Sequence, residues 1–392
     1  MIPLSSPDID ENDIRVVTDV LRSGYLASGP VTERFEKDVA ERFEARFAVA
    51  VSSGTAALHL AMIAARVSEG DYVITSPYSF VASANAILYE RGIPVFVDID
   101  PVTLTIDAQK TIEVLRDLAH RRGGWRSLLP RSSRNSPGVL RAVLPVHLFG
   151  RMADIGEIVN EAREAGIAVI EDACEAVGAS SGGIYAGRWG DAGAFGFYPN
   201  KQLTTGEGGM LLTDHEEWAE LFRGLRNQGR SRDNRKQRHD RLGFNYRIDE
   251  MSAALGLSQF TRIDELLRKR RAVADRYTAL LSGVDGVTPL ADPPAGSVRT
   301  WLLYIIRRAP EIDRDAVMQG MASRGIMTRA YFWPIHLQPY YVKQFGFIEG
   351  DFPAAEAAGR TTLALPMSPN LSDEEIAYVC TAVAEQVSAH AV

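Results

Sequence analysis

One lysine stands in a setting that surface lysines rarely have. Lys201 lies in FYPNKQLTTGEGG (197–209), between the apolar segment AGAFGF (192–197) and a glycine-rich turn. A lysine amine is nucleophilic only without its proton, and an ordinary lysine has a pKa of ~10.4. Desolvation lowers the pKa of a lysine amine and permits imine chemistry with an aldehyde. Lys201 is therefore a candidate catalytic residue.

Two other stretches carry groups that complement such a lysine. Asp172, in VIEDACEAVGA (169–179), follows an apolar run, where an open α/β sheet places its ligands. A carboxylate there can hold a ring nitrogen in its protonated form. VSSGTAALHLA (51–61) begins a helix with small residues and hydroxyls, which suits an anion. Helix start, aspartate and lysine, in this order, suit the phosphate, pyridine nitrogen and aldehyde carbon of pyridoxal 5′-phosphate (PLP).

A sheet must position these residues, and strand-like and helical segments alternate over the first two-thirds of the sequence. The strand-like segments are rich in Val, Ile and Phe and are bounded by Gly, Pro or Asp. This alternation predicts an α/β fold with a mainly parallel sheet and helices on both faces. The predicted strands are DYVITS (71–76), PVFVDID (94–100), RAVLPVHLFG (141–150), AVIEDA (168–173), AGAFGF (192–197) and GMLLT (209–213). The predicted helices are TAALHLAMIAARV (55–67), SFVASANAILYERG (79–92) and MADIGEIVNEAREAG (152–166).

The pattern changes near residue 250. Residues 251–283 predict one or two long amphipathic helices, and residues 372–390 predict a last helix. Ser372 and Glu375 have the spacing of a capping box at the start of that helix. We expect a large α/β domain over 1–250, and a connecting helix with a smaller α+β domain over 251–392. The N-terminal segment is expected to pack on the smaller domain.

Composition excludes several classes of function. The chain of 392 residues is 46% hydrophobic and 24% charged, as in soluble globular enzymes. Its net charge of −7 argues against nucleic acid as a partner, and no apolar run of ~18 residues suits a bilayer. The N-terminus lacks the pattern of a signal peptide. Two cysteines and scattered histidines predict neither a disulfide framework nor a metal site. These features predict a cytoplasmic protein.

One segment, HRRGGWRSLLPRSSRNSPG (120–138), has no clean periodicity. It is rich in Arg, Ser, Gly and Pro, a composition typical of a solvated loop. The alternative is that its arginines bind an anionic ligand.

Several stretches, in order and covering nearly the whole chain, carry the motifs of one enzyme group. They are SGYLASGPVTERFE (23–36), SSGTAALHLA (52–61), PVFVDID (94–100), PVHLFG (145–150), EDACEAVGA (171–179), FYPNKQLTTGEGG (197–209), LGFNYRIDEMSAALGLSQF (242–260) and PIHLQPYY (334–341). Together they resemble the PLP-dependent nucleotide-sugar aminotransferases of the DegT/DnrJ/EryC1/StrS group. The resemblance implies the fold type I (aspartate aminotransferase-like) architecture and a homodimer with active sites at the interface. It also implies amination of a nucleotide-linked keto-sugar for polysaccharide or glycoside biosynthesis, with glutamate as donor and pyridoxamine phosphate (PMP) as the intermediate cofactor form.

The resemblance also assigns roles to residues. Lys201 would bond to the aldehyde carbon of the cofactor and Asp172 would pair with its pyridine nitrogen, both as catalytic residues. The sugar would lie near Tyr331 and His336, in AYFWPIH (330–336). The implied cofactor-binding residues are Gly54, Thr55 and Ala56 at the phosphate, Phe80 and Glu175 at the ring, Asp172, Lys201, and Asn245 from the neighbouring subunit.

Two positions depart from the family pattern. Many relatives carry a serine five residues before the lysine, where its hydroxyl meets the phosphate, and here that residue is Gly196. Glu175 stands where relatives often have a histidine or an amide.

Three other functions are compatible with parts of the sequence. A PLP- or PMP-dependent sugar dehydratase would share the fold, but it replaces the lysine with histidine, so Lys201 favours transamination. A serine hydrolase is the second alternative, because Gly178–Gly182 fits G-x-S-x-G, although a nucleophile elbow needs a strand directly before the serine. A non-catalytic cofactor-binding regulator is the third, and the acidic chain without a DNA-binding module counts against it.

Overall fold

The computed structural model describes residues 1–231 and 238–390, and in them strands and helices alternate as the sequence predicts. The strands are β1 (Phe47–Val51), β2 (Tyr72–Thr75), β3 (Ile93–Phe96), β4 (Leu140–Leu144), β5 (Ala168–Asp172), β6 (Ser180–Ser181), β7 (Ile184–Tyr185), β8 (Ala192–Gly196), β9 (Gly209–Thr213), β10 (Val287–Pro289), β11 (Ser297–Val298), β12 (Tyr304–Arg308) and β13 (Thr362–Leu365). The α helices are α1 (Glu11–Ser23), α2 (Pro30–Arg42), α3 (Gly54–Ala64), α4 (Ala82–Tyr89), α5 (Ala108–His120), α6 (Gly156–Glu164), α7 (Glu216–Leu225), α8 (Glu250–Thr261), α9 (Ile263–Leu281), α10 (Arg314–Ser323), α11 (Pro339–Phe345), α12 (Pro353–Thr361) and α13 (Asp373–Ala389). None of these helices has the length and apolar character needed to cross a bilayer.

A seven-stranded sheet in the order β1-β9-β8-β5-β4-β2-β3 forms the centre of the first part of the chain. Its strands are parallel except β9, which runs antiparallel to both β8 and β1. Apolar clusters lie on both faces, since the adjacent residues Val73 and Ile74 of β2 belong to different clusters. A sheet buried on both faces explains why its strands are continuous apolar runs. The prediction of a mainly parallel sheet is confirmed.

The second part of the chain contains a three-stranded antiparallel sheet in the order β10-β12-β13. The long helical stretch after residue 250 is two helices, α8 and α9, which meet at Arg262. Helix α13 begins with the predicted capping box, in which Ser372 Oγ accepts the Glu375 N–H and the Glu375 carboxylate accepts the Ser372 N–H. Ile2 packs in the apolar cluster that includes residues of α9, β12 and α13. The N-terminal segment thus contacts this part of the chain.

The arginine-rich segment 120–138 is attached to its surroundings. The guanidinium of Arg131 donates two hydrogen bonds to the carboxylate of Asp351, at 2.6 and 2.7 Å. The guanidinium carbon of Arg126 lies 4.6 Å from the centroid of the Trp125 ring. These arginines therefore contact their own chain, which favours a packed connection over a ligand site.

The G-x-S-x-G stretch does not form a nucleophile elbow. Ser180 begins β6, a two-residue strand that pairs antiparallel with β7 and with β11. An elbow requires a strand that leads through a sharp turn directly into a helix. The fold therefore gives no support to the serine hydrolase alternative.

Candidate active site

The stretches with chemically active groups meet in one cavity of about 410 Å³. Asp172 is the last residue of β5 and Gly196 is the last residue of β8, while α3 begins beside them at Gly54. Open α/β sheets bind ligands at this edge because strand ends and helix N-termini converge there. The sheet thus brings together residues far apart in the sequence.

Two donors fix the Asp172 carboxylate in the cavity wall. Its Oδ2 accepts a hydrogen bond from Ser83 Oγ at 2.6 Å, and its Oδ1 accepts the Cys174 N–H at 3.1 Å. Ser83 Oγ receives a hydrogen bond from Ser79 Oγ at 3.1 Å. Asp172 is 5% exposed. A buried carboxylate held in this way can pair with a protonated ring nitrogen.

Lys201 lies in the turn between β8 and β9, where contacts hold its backbone on both sides. Its N–H donates to the Tyr198 carbonyl at 2.9 Å, and its carbonyl accepts a hydrogen bond from the Arg270 guanidinium at 2.7 Å. Arg270 projects from α9 and is 1% exposed, and burial lowers its pKa to about 10. The lysine side chain therefore extends into the cavity from a fixed backbone.

Glu175 is the carboxylate paired with this lysine. Its Oε1 lies 3.7 Å from Lys201 Nζ, and its Oε2 accepts the Phe149 N–H at 3.1 Å. Burial raises the pKa of Glu175, although the Lys201 charge and the Phe149 N–H act in the opposite direction. A carboxyl group that protonates more readily than usual, next to an amine, can exchange a proton with it.

Glycine is required where α3 meets the sheet. A Cβ atom at Gly54 would lie 2.7 Å from Cys174 Sγ and 3.2 Å from Gly196 Cα. Cys174 therefore fills the space beside Gly196, and its Sγ donates to the Ala194 carbonyl at 3.6 Å. Burial raises the pKa of the Cys174 thiol, which keeps this group neutral and unreactive.

The first turn of α3 supplies the anion-binding end of the cavity. Gly54 and Thr55 line the cavity, and N–H groups in a first helical turn have no partner within the helix. The Ala56 N–H differs, because it donates to Ser53 Oγ at 3.0 Å. Of the three predicted phosphate-binding residues, Gly54 and Thr55 are thus the two that line the cavity.

Phe80 and Tyr331 both line the cavity, and their predicted contacts with the cofactor ring and the sugar stay predictions. Phe80 is 59% exposed, so one face of its ring is open to a ligand. Burial raises the pKa of the Tyr331 phenol, while the charges of Arg329 and Lys201 partly oppose this shift. Tyr331 and Lys201 therefore belong to the lining of the same cavity.

His336 and Asn245 lie outside the cavity of this chain. His336 is 0% exposed, and its Nε2 lies 3.0 Å from Glu356 Oε1. This corrects the expectation that His336 lies near the sugar, because a 3-10 turn over Ile335–Leu337 directs it into the protein interior. Asn245 is exposed and pairs through its backbone with Asn227. Its predicted role requires a second subunit and stays a prediction.

Sequence reasoning missed three residues that contribute to the cavity. Ser83 bonds to Asp172, Cys174 packs against Gly54, and Arg329 brings a second cation. Ser83 stands one turn after Phe80, a spacing that could have indicated it. Nothing in the local sequence distinguishes Arg329.

The arrangement fits PLP. A helix N-terminus for a phosphate, a carboxylate for a ring nitrogen and a lysine for an aldehyde stand in one cavity, within the ~300–1,000 Å³ range usual for small ligands. Where α3 meets the sheet, the cavity wall is packed so closely that a side chain at Gly54 would collide with Cys174 Sγ.

Comparison with known proteins agrees with this site. A model of the DegT/DnrJ/EryC1/StrS aminotransferase family matches residues 7–384. The chain belongs to this family. The match confirms the resemblance and the prediction of an aminotransferase. The family is PLP-dependent, which agrees with the groups found in the cavity.

Individual members of the DegT/DnrJ/EryC1/StrS family match over nearly their whole length. The spore coat polysaccharide biosynthesis protein SpsC of Bacillus subtilis is 37% identical over 400 residues, which cover 98% of this chain and 97% of SpsC. A GDP-perosamine synthase of Caulobacter vibrioides is 34% identical, with 97% of each chain covered. The PLP form of the putative sugar aminotransferase Spr1654 from Streptococcus pneumoniae superposes with a TM-score of 0.88 at 26% identity, with 100% of each chain covered. The predicted fold type I architecture is confirmed.

Proposed function

We propose that this family member transfers an amino group from glutamate to the keto group of a nucleotide-linked sugar, with PLP as cofactor and PMP as the carrier between two half-reactions. The convergence of Lys201, Asp172 and the start of α3 in one cavity carries the proposal. The names of the GDP-perosamine synthases support a nucleotide-linked sugar as substrate. The name of SpsC supports a role in polysaccharide biosynthesis.

The residues around the cofactor would bind and orient it. PLP supplies an electron sink when its ring nitrogen is protonated. Asp172 would keep that proton on the nitrogen, because Ser83 Oγ and the Cys174 N–H hold its carboxylate in place. The N–H groups of Gly54 and Thr55 would bind the phosphate.

Other contacts complete the proposed site. Phe80 would stack on the ring, and Tyr331 would contact the sugar. Asn245 would reach the phosphate from the second subunit of a homodimer whose active sites lie at the interface. We place the enzyme in the cytoplasm, in line with its two free cysteines.

Lys201 would transfer the proton in both half-reactions. With the donor bound, Lys201 Nζ would accept a proton from the α carbon of the donor. In the second half-reaction it returns a proton to the carbon that receives the amine. Glu175, 3.7 Å from this Nζ, would hold the countercharge when the amine is protonated. Two half-reactions in one site predict ping-pong kinetics.

Product analysis with a lysine variant tests the proposal. The purified enzyme, loaded with PLP, is incubated with glutamate and a panel of nucleotide-linked keto-sugars, and products are identified by mass. We expect a product in which an amine replaces the keto oxygen, and we expect Lys201→Ala to form none while it stays folded by circular dichroism. A product that has lost water would indicate the dehydratase instead. Turnover retained by Lys201→Ala would overturn the assignment of the lysine.

A further inference from the structure

The cavity contains more negative than positive side chains. Asp172, Glu175 and Glu207 line it, and Lys201 and Arg329 are the cations among the described residues that line it. An amino-acid donor brings a further negative charge, its α-carboxylate. Because carboxylates repel it and desolvation penalises it, this group needs a cation other than the reacting lysine.

Two backbone hydrogen bonds hold Arg329 in place. Its N–H donates to the Ala364 carbonyl at 3.2 Å and its carbonyl accepts the Ala364 N–H at 2.8 Å, so its backbone extends the sheet at β13. Its guanidinium lies close to the Tyr331 hydroxyl, at the cavity wall. Within the described residues, no carboxylate lies within the 4.0 Å of an ion pair with Arg329. Arg329 is thus an exposed cation in the lining of the cavity.

We propose that Arg329 binds the α-carboxylate of the amino donor. This inference rests on the proposed function. The donor nitrogen must reach the place of Lys201 Nζ, and its carboxylate is attached to the carbon next to that nitrogen. The carboxylate must therefore lie near Lys201 and away from Glu175. Arg329 lies beside Tyr331 and is the cation available at this position. Its planar guanidinium can donate two parallel hydrogen bonds to one carboxylate.

The diphosphate of the nucleotide-linked sugar is the other anion that enters the cavity. It is separated from the reacting keto carbon by atoms of the sugar ring, whereas the donor carboxylate is one bond from the reacting carbon. A cation beside Tyr331, in the cavity that Lys201 also lines, suits the nearer anion. The two anions enter in different half-reactions, so they can be tested separately.

The test follows each half-reaction alone in Arg329→Gln. PLP-loaded enzyme is mixed with glutamate, and the loss of absorbance of the bound cofactor gives the donor concentration for half-maximal rate. PMP-loaded enzyme is then mixed with the keto-sugar. We expect the glutamate concentration for half-maximal rate to rise by ~30-fold or more, the effect of losing one charged hydrogen-bonded pair. The keto-sugar concentration for half-maximal rate should change less than about twofold. Arg329→Lys should lie between the variant and the wild type.

A donor analogue and a binding measurement sharpen the result. 4-Aminobutyrate lacks the α-carboxylate of glutamate, so Arg329→Gln should lose most of the preference for glutamate over this amine. Titration calorimetry with glutarate, which has no amino group, should show weaker binding to Arg329→Gln than to the wild type. Arg324→Gln, an arginine paired with Glu385 outside the cavity, is the matched control.

The outcomes separate this inference from the proposed function. If the wild type reacts with no amino acid, the proposed function fails, and glutarate binding still reports on Arg329. If the wild type reacts and Arg329→Gln uses glutamate equally well, Arg329 does not bind the donor. An effect confined to the sugar half-reaction would assign Arg329 to the diphosphate and overturn the inference.

Discussion

The Nζ atom of Lys201 lies 3.7 Å from Oε1 of Glu175, and their side chains are only 15% and 9% exposed. Charges that face each other with little water between them interact more strongly than charges at the surface. Glu175 therefore acts directly on the residue that must react as a neutral amine. The sequence resemblance implies that relatives often have a histidine or an amide at this position, so we expect this pairing to set the chain apart from many of them.

Replacing Glu175 with glutamine should speed the labelling of Lys201 by amine reagents, because the 3.7 Å contact of Lys201 Nζ with a carboxylate is lost. A nearby carboxylate stabilises the ammonium form of a lysine, and glutamine removes that charge but keeps an oxygen for the Phe149 N–H. Cofactor-free protein is labelled with trinitrobenzenesulfonate over a pH series, and the peptide that contains Lys201 is quantified by mass spectrometry. Glu207→Gln, at an exposed carboxylate of the same cavity, serves as the control. A labelling rate of Lys201 in Glu175→Gln that equals or falls below that of the wild type would contradict the predicted effect.

Ser83→Ala should weaken PLP binding by about tenfold, the effect of losing one hydrogen bond to a charged group. The substitution removes the 2.6 Å contact with Asp172 Oδ2 and leaves the carboxylate with the Cys174 N–H. Dissociation constants from fluorescence titration of the cofactor-free protein provide the measurement. Ser79→Ala is the matched control, because the bond from Ser83 to Asp172 remains intact. Equal affinities for Ser83→Ala and the wild type would mean that the orientation of Asp172 does not depend on Ser83.

Gly196→Ser should strengthen PLP binding by up to about tenfold, because it adds the hydroxyl that the sequence resemblance implies at the phosphate in many relatives. The site has room for the added Cβ atom, which would lie 3.4 Å from Cys174 Sγ, at the limit of an ordinary contact. Gly196→Ala adds the Cβ atom without the hydroxyl and is the control in the same titration. By contrast, Gly54→Ala should weaken binding, because its Cβ atom would lie 2.7 Å from the same sulfur. If serine and alanine at 196 bind PLP equally, the added hydroxyl does not reach the phosphate.

The main sheet and the two catalytic candidates follow from local sequence. Buried parallel strands are continuous apolar runs, so Asp172 and Lys201 can be placed after strand ends without knowledge of the rest of the fold. The sheet geometry then requires them to meet at one edge. For this reason the sequence could place both residues at one cavity, while their catalytic roles stay predictions.

The remaining contacts depend on distant parts of the chain. Ser83 and Asp172 are 89 positions apart, and Arg329 reaches the cavity from the edge of the small sheet. Local patterns specify elements, but they do not specify which loops from other elements meet. The orientation of His336 was missed for the same reason, because AYFWPIH fits a cavity wall and an interior turn equally well.

His336 should influence stability and its pH dependence rather than sugar binding. Burial lowers the pKa of His336, although the hydrogen bond with Glu356 partly opposes this shift. The unfolded chain takes up a proton below its usual pKa of ~6.5, while the folded protein resists protonation, so stability should fall as pH drops below ~6.5. His336→Gln should lower the free energy of unfolding by ~1–2 kcal/mol at pH 7.5 and make its decline between pH 6.5 and 5.5 shallower. Urea unfolding at three pH values measures both effects, with His215→Gln as an exposed control.

The KM of His336→Gln for the keto-sugar should stay within about twofold of the wild type. A large rise in that KM with unchanged pH dependence of stability would return His336 to the substrate site.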